Sequence, residues 1–323
     1  MKTLYWLVKR EFWEHRGGFI WTPVITGGVF LLLNVMGIIS GEVLGLHHGF
    51  NVGYSNDGSN SLASMIQSLD ARHMEMVGAG LDLAMLSASF LICIVFAFVV
   101  FFYFLGALYD DRRDRSILFW KSLPLSDTST VISKVIAGVL IAPIIVMVCG
   151  LLTGFAMLLL FAITLSMHGV SVWSLLMLAH PFQVAGFLIA SIPLYLMWAL
   201  PTVGWLMLCS AWAKGKPFLW AVIIPVAVGI MISWFNLMGS TGLKNTWYWR
   251  EILARALFSV VPGGWLRDAA SEHLGQDAQS IGDFFTVAHS YEVLATPDIW
   301  IGAVVGIALL AGAIWFRRWR DDS

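Results

Sequence analysis

Charged side chains are absent from long stretches of this chain: Phe19 to Gly41, Leu83 to Leu108, Val135 to Ala213, Pro217 to Gly239 and Ile299 to Phe316. About 20 apolar residues in an α-helix cross roughly 30 Å of hydrocarbon, so four of these tracts fit one crossing each. Val135 to Ala213 is too long for one. Its middle holds His168, Gly169, His180 and Pro181, so it parses as two helices joined by a short outer turn. The pattern predicts six spans, at 19–41, 83–108, 135–165, 182–212, 217–239 and 299–316, in an all-α integral membrane protein forming one membrane domain. Pro143, Pro193 and Pro201 fall inside the third and fourth spans, where a missing backbone donor predicts kinks.

Composition agrees with this pattern. The 323 residues are 59% hydrophobic and 12% charged, with a mean hydropathy of +0.80, whereas a soluble domain carries about a quarter charged residues. That excludes a soluble globule, and a net charge of -1 gives no sign of a nucleic-acid partner. Cys93, Cys149 and Cys209 lie in apolar runs and read as small hydrophobes. The first apolar tract is longer than a signal-peptide core and no small-residue cleavage site follows it, so it is expected to remain as a span.

The distribution of charge then orients the chain. Six spans put both ends on one side, and that side, with the 109–134 loop and the 213–216 turn, holds 14 of the 19 Lys and Arg. The positive-inside rule makes it the cytosolic side. Segments 42–82 and 240–298 then face outward.

Residues 2–16 set Leu4, Leu7, Val8 and Phe12 on one helical face and most charges elsewhere, the pattern of an amphipathic helix in the cytosolic membrane interface. A solvated leader that enforces orientation is the competing reading. The 109–134 loop opens with mixed charges at Asp110, Asp111, Arg112, Arg113, Asp114 and Arg115, and Ile117, Leu118, Phe119 and Trp120 follow at once. A surface that docks another protein needs an apolar anchor for burial and charges for register. Phe119 and Trp120 dipping into lipid is the alternative.

An amphipathic N-terminal helix, six spans, and a charged loop ending Leu123-Pro124-Leu125-Ser126 with Ser133-Lys134 beyond it resemble the permease subunit of an ABC-2 type transporter. The resemblance covers essentially the whole chain, and its motif-like part is about 25 residues. It implies that the loop between the second and third spans carries a coupling helix for a separate ABC ATPase subunit, which binds ATP and Mg. The coupling surface implied is Asp110, Asp111, Arg112, Arg113, Asp114, Arg115, Ile117, Phe119, Trp120 and Lys121, with Glu11 beside it. Arg115-Ser116 stands where the family often has Gly-Thr. The resemblance further implies export, a second permease copy or paralogue, and the cytoplasmic (inner) membrane of a bacterium. It also implies short re-entrant helices within 240–298, where Trp247, Tyr248 and Trp249 precede the apolar stretch Ile252 to Val261 and Pro262-Gly263-Gly264; a plain surface helix is the alternative.

Two absences support a passive subunit. The phosphate-binding pattern G-x-x-x-x-G-K-[ST] does not occur. No Asp, Glu, Lys or Arg falls in the expected spans, although ion-coupled carriers usually rely on such groups. Asn34, Thr153, Ser191, Tyr195 and Asn236 are polar within spans and are candidates for a pathway, although Ser and Thr often bond their own helix. Glycines 150 and 154, and 302 and 306, allow close helix approach, within one subunit or across a dimer seam. The rival readings are an ion-coupled secondary transporter or channel, a membrane enzyme using outer His47, His48 and His73 with Glu42, Asp70 and Glu75, and a scaffold. Those outer residues lack a standard metal-ligand spacing, so no metal site is expected.

Overall fold

The computed structural model describes residues 2–48, 71–114, 125–167, 178–238, 245–265 and 287–319. Among the described residues the regular structure is helical, with no strand. Six helices are long and apolar enough to cross a membrane: Gly17–Val43, Val77–Arg113, Asp127–Met167, Pro181–Trp212, Leu219–Leu237 and Pro297–Trp319. The chain is a multi-pass integral membrane protein.

The third helix starts well before the apolar tract does. Ser126 accepts a hydrogen bond from the Ser129 amide at 3.1 Å, the geometry of an N-cap, and helix then runs from Asp127 without a break into the span. The expected 109–134 loop is therefore helical at both described ends, at Tyr109–Arg113 and from Asp127 onward.

Prolines shape three spans through wide π-helical turns. Gly17–Trp21, Ala137–Ile141 and Leu219–Ile223 each end two residues before a proline, at Pro23, Pro143 and Pro225. A proline lacks its N–H and crowds the carbonyl four residues back, and a widened turn relieves both problems. For Pro225 that carbonyl belongs to Ala221, and Trp205 Nε1 donates to it at 3.0 Å. Pro193 and Pro201 instead lie inside helix continuous from Pro181 to Trp212.

The fourth and sixth spans share the most extensive contact. A Cβ on Gly306 would lie 2.5 Å from the Leu200 carbonyl oxygen, so only glycine permits this backbone-on-backbone approach. Gly150 and Gly154 likewise seat on Ser89 and Met85 of the second span. Both glycine pairs thus form seams within the chain. The second span is the core element, with 56% of its apolar window buried, whereas the first has 6% and turns almost wholly outward.

The N-terminal helix, Lys2–Glu14, packs on Asp127–Ile136 and the wide turn after it. Its buried stripe includes Leu7, Val8 and Glu11, with Leu4 and Phe12 partly covered, so the apolar face meets protein. Tyr5, Trp6 and Trp13 occupy the opposite, exposed face, with Lys9 5.0 Å from the Trp6 ring centre.

Residues 245–265 insert among the spans. Tyr248 donates to the Pro225 carbonyl at 2.8 Å and Trp249 Nε1 to Ser233 at 2.9 Å, both in the fifth span. Thr202 of the fourth span donates to the Arg255 carbonyl at 2.8 Å and accepts from the Ser259 amide at 3.0 Å. Thr202 lies ten residues from the Trp212 end of its helix, about 15 Å at the α-helical rise, so the segment reaches the interior turns of the bundle.

Candidate functional site

Five helices meet in a network of charges at the end of the bundle that carries the described N- and C-terminal helix ends. Glu11 is fully buried, and its carboxylate lies 3.2 Å from Lys134 Nζ and 2.6 Å from Arg10 Nη2. The Tyr103 hydroxyl stands 3.3 Å from the same carboxylate and 3.2 Å from the Lys134 carbonyl. Burial pushes the Glu11 carboxyl up, but Lys134 and Arg10 outweigh it and hold the group below its usual value near 4.5. The N-terminal helix is tied in this way to the second and third spans.

Asp111 continues the network, lying 3.4 Å from Lys134 Nζ and 3.0 Å from Arg317 Nη1. Arg317, buried at the end of the sixth span, also reaches Asp127 at 3.2 Å. The fourth span joins through the short helix Tyr109–Arg113. Ser210 Oγ accepts from the Leu108 and Tyr109 amides at 3.0 and 2.9 Å, and Arg112 donates to the Ser210 and Ala213 carbonyls at 2.6 and 2.9 Å. A cation on the last carbonyls of a helix satisfies groups that have no partner within it.

The expected coupling residues therefore divide into two sets. Glu11, Asp111 and Arg112 point inward and bind helices together, whereas Asp110, Arg113 and Asp114 are exposed. Arg115, Ile117, Phe119, Trp120 and Lys121 lie outside the described residues. An exposed ion pair of 3.6 Å joins Arg113 to Asp114 and contributes little stability, which leaves those charges available to a partner.

The candidate pathway residues are scattered over four spans. Asn34, Thr153 and Ser191 donate to carbonyls four residues back in their own helices, at 2.8 Å each. Thr153 abuts Gly27, where a Cβ would lie 2.5 Å from its hydroxyl. Tyr195 is fully buried and donates to the Val260 carbonyl at 3.2 Å, while Asn236 is half-buried near the end of the fifth span. Ser191 lines a largely apolar cavity of about 470 Å³ with Phe90, Phe187, Pro262 and Trp265.

A larger cavity, about 670 Å³, lies between the fourth span, the inserted segment and the sixth span. Pro201, Trp205, Trp247, Ile301 and Leu309 give it apolar and aromatic walls, and Glu251, Arg255 and Asp298 bring charge. Glu251 and Arg255 also line a neighbouring cavity of about 240 Å³. Arg255 lies 4.0 Å over the Trp198 ring. The sequence left the segment carrying Glu251 and Arg255 open between a re-entrant hairpin and a surface helix; the clue to its insertion was an apolar helical stretch carrying isolated charges behind an aromatic triplet.

Lys134, Asp127, Arg317, Tyr103 and Ser210 were also not foreseen as parts of a site. Of the outer histidine and carboxylate groups, Asp70 lies outside the described residues, as do the side chains of His47, His48, His73 and Glu75. His180 and Asp82 do meet, 3.1 Å apart, joining the second and fourth spans at the end away from the ion network. Compared with known proteins, the chain matches no family model, no curated protein and no solved structure.

Proposed function

We propose that this chain is the permease subunit of an ABC-2 type transporter, forming an export pathway driven by a separate ATPase subunit that binds ATP and Mg. The inner ion network carries this reading. Force applied at the exposed Asp110, Arg113 and Asp114 would pass through Asp111, Lys134 and Arg317 into the third and sixth spans, and through Arg112 into the fourth. The wide turns beside Pro23, Pro143 and Pro225 lie near that end of three spans, where a helix bends at least cost. ATP binding and hydrolysis in the partner would favour different arrangements of this end. The positive-inside distribution favours a cytosolic location for the network, in a bacterial inner membrane, and the exposed Tyr5, Trp6 and Trp13 suit a helix edge at the lipid interface. The depth reached by residues 245–265 fits the family's re-entrant segment. The functional unit contains a second permease copy or paralogue.

The test is copurification with a soluble protein that carries a phosphate loop. Binding is expected from the native chain and lost on reversing charge at Asp110, Arg113 and Asp114; unchanged binding would remove the docking surface.

One observation favours the rival, an ion-coupled carrier: Glu251 and Arg255 bring ionisable groups against mid-span residues. Transport abolished by an uncoupler and indifferent to ATP depletion would establish it.

A further inference from the structure

We infer that the cavity between the fourth span, the inserted segment and the sixth span binds a zwitterionic amphiphile, one carrying a phosphate and an ammonium on an apolar tail. The inference rests on the permease reading only in making this ligand the cargo; the binding itself does not depend on it.

The size fits, since ligand cavities span roughly 300–1,000 Å³ and this one is about 670 Å³. Its charge selects the head group. Arg255 presents a guanidinium, whose planar fork suits phosphate oxygens. Glu251 and Asp298 supply acceptors for an ammonium, and the Trp205 and Trp247 rings can hold a cation against their faces. An anion alone meets two carboxylates here and a cation alone meets Arg255, although Glu251 also lies 3.7 Å from Arg250 and Arg255 stacks on Trp198. A ligand with both signs meets neither conflict. Ile252, Ile301, Val305 and Leu309 complete the wall as a surface for the tail.

The backbone holds the guanidinium in place. Arg255 lies over Trp198 at 4.0 Å, and its carbonyl is tied to Thr202. Gly302 leaves the space it occupies, because a Cβ there would lie 2.9 Å from Arg255 Nη1. Gly302→Ala therefore displaces the cation without removing it.

The experiment uses the purified full-length chain in detergent, with no nucleotide and no partner, and fluorescence anisotropy of tail-labelled lysophosphatidylethanolamine. Tail-matched probes bearing phosphatidylglycerol or a bare ammonium serve as comparisons. The zwitterionic probe is expected to bind on the order of tenfold more tightly than either, the worth of one charge-assisted contact. Arg255→Gln removes the preference over the ammonium probe, Asp298→Asn weakens the preference over phosphatidylglycerol, and Gly302→Ala gives an intermediate loss. Asp298 is exposed, so its variant carries the test if Arg255→Gln does not fold. Equal binding of the three probes to the unaltered chain, or tightest binding of phosphatidylglycerol, overturns the proposal. Zwitterion preference in a chain that copurifies with no ATPase from its native membrane would sink the permease reading alone, and a copurifying ATPase with no zwitterion preference would sink this inference alone.

Discussion

The two ends of the bundle are held by different means. At the end that carries the N-terminal helix, buried opposite charges join that helix and the second, third and sixth spans, and Arg112 locks the fourth. Deeper in the bundle, the inserted segment is held by neutral hydrogen bonds from Tyr195, Thr202 and Tyr248 to its backbone or its neighbours, and cavities of about 670, 470 and 240 Å³ border it. A buried ion pair tolerates little displacement, because separating it strands two charges. Hydrogen bonds around a cavity can exchange partners at smaller cost. On the proposed reading the contrast is a division of labour, with one end stiff enough to receive a push and the other open enough to hold a molecule.

The strongest way to break the contrast is Lys134→Met, which takes a buried cation from Glu11 and Asp111 at once and leaves them only Arg10 and Arg317. Losing one partner of a buried pair costs about 3–5 kcal/mol, and a matching fall in thermal stability is expected. Adding Glu11→Leu should restore part of it, since Asp111 keeps Arg317. Gly306→Ala attacks the seam common to both ends: its Cβ meets Leu200 backbone, an overpacking that costs about 1–3 kcal/mol by thermal unfolding.

Thr202→Val should cost about 1–3 kcal/mol by leaving the Ser259 amide without its acceptor. Hydrogen exchange should quicken at 255–260 while 109–113 stays protected; equal quickening at both would erase the distinction between the ends. The smallest effect is with pH. The Glu11 carboxyl is held below its usual value, so its contribution is present above about 4.5 and is lost as pH falls through the lower folded value. Stability measured against pH should fall on the acid side, and Glu11→Gln should flatten that fall.

Four of the six spans were legible as one apolar run each, and the third and fourth as a run too long for one helix that divides between His168 and Pro181. The ion network was not, because its partners are far apart in sequence: Asp111 and Arg317 are separated by 206 residues, and Tyr103 and Glu11 by 92. Glu11 could be suspected from its place beside the loop, but its burial followed only from the third helix extending inward to Asp127, a start set by the Ser126 cap. The amphipathic stripe at Leu4, Leu7, Val8 and Phe12 was visible, yet a stripe does not say whether protein or lipid covers it. Arg255 was hidden for another reason: the apolar stretch Ile252 to Val261 that carries it suits a surface helix as well as a re-entrant one, and the choice rests on its distant bonds to Thr202 and Tyr195.

The most direct test of the central claim measures ATP hydrolysis by the candidate ATPase reconstituted with this chain in vesicles. The account predicts stimulation by the native chain, retained by Thr202→Val and abolished when Asp110, Arg113 and Asp114 are reversed in charge. Stimulation untouched by those reversals, or uphill transport by the chain alone, would contradict it.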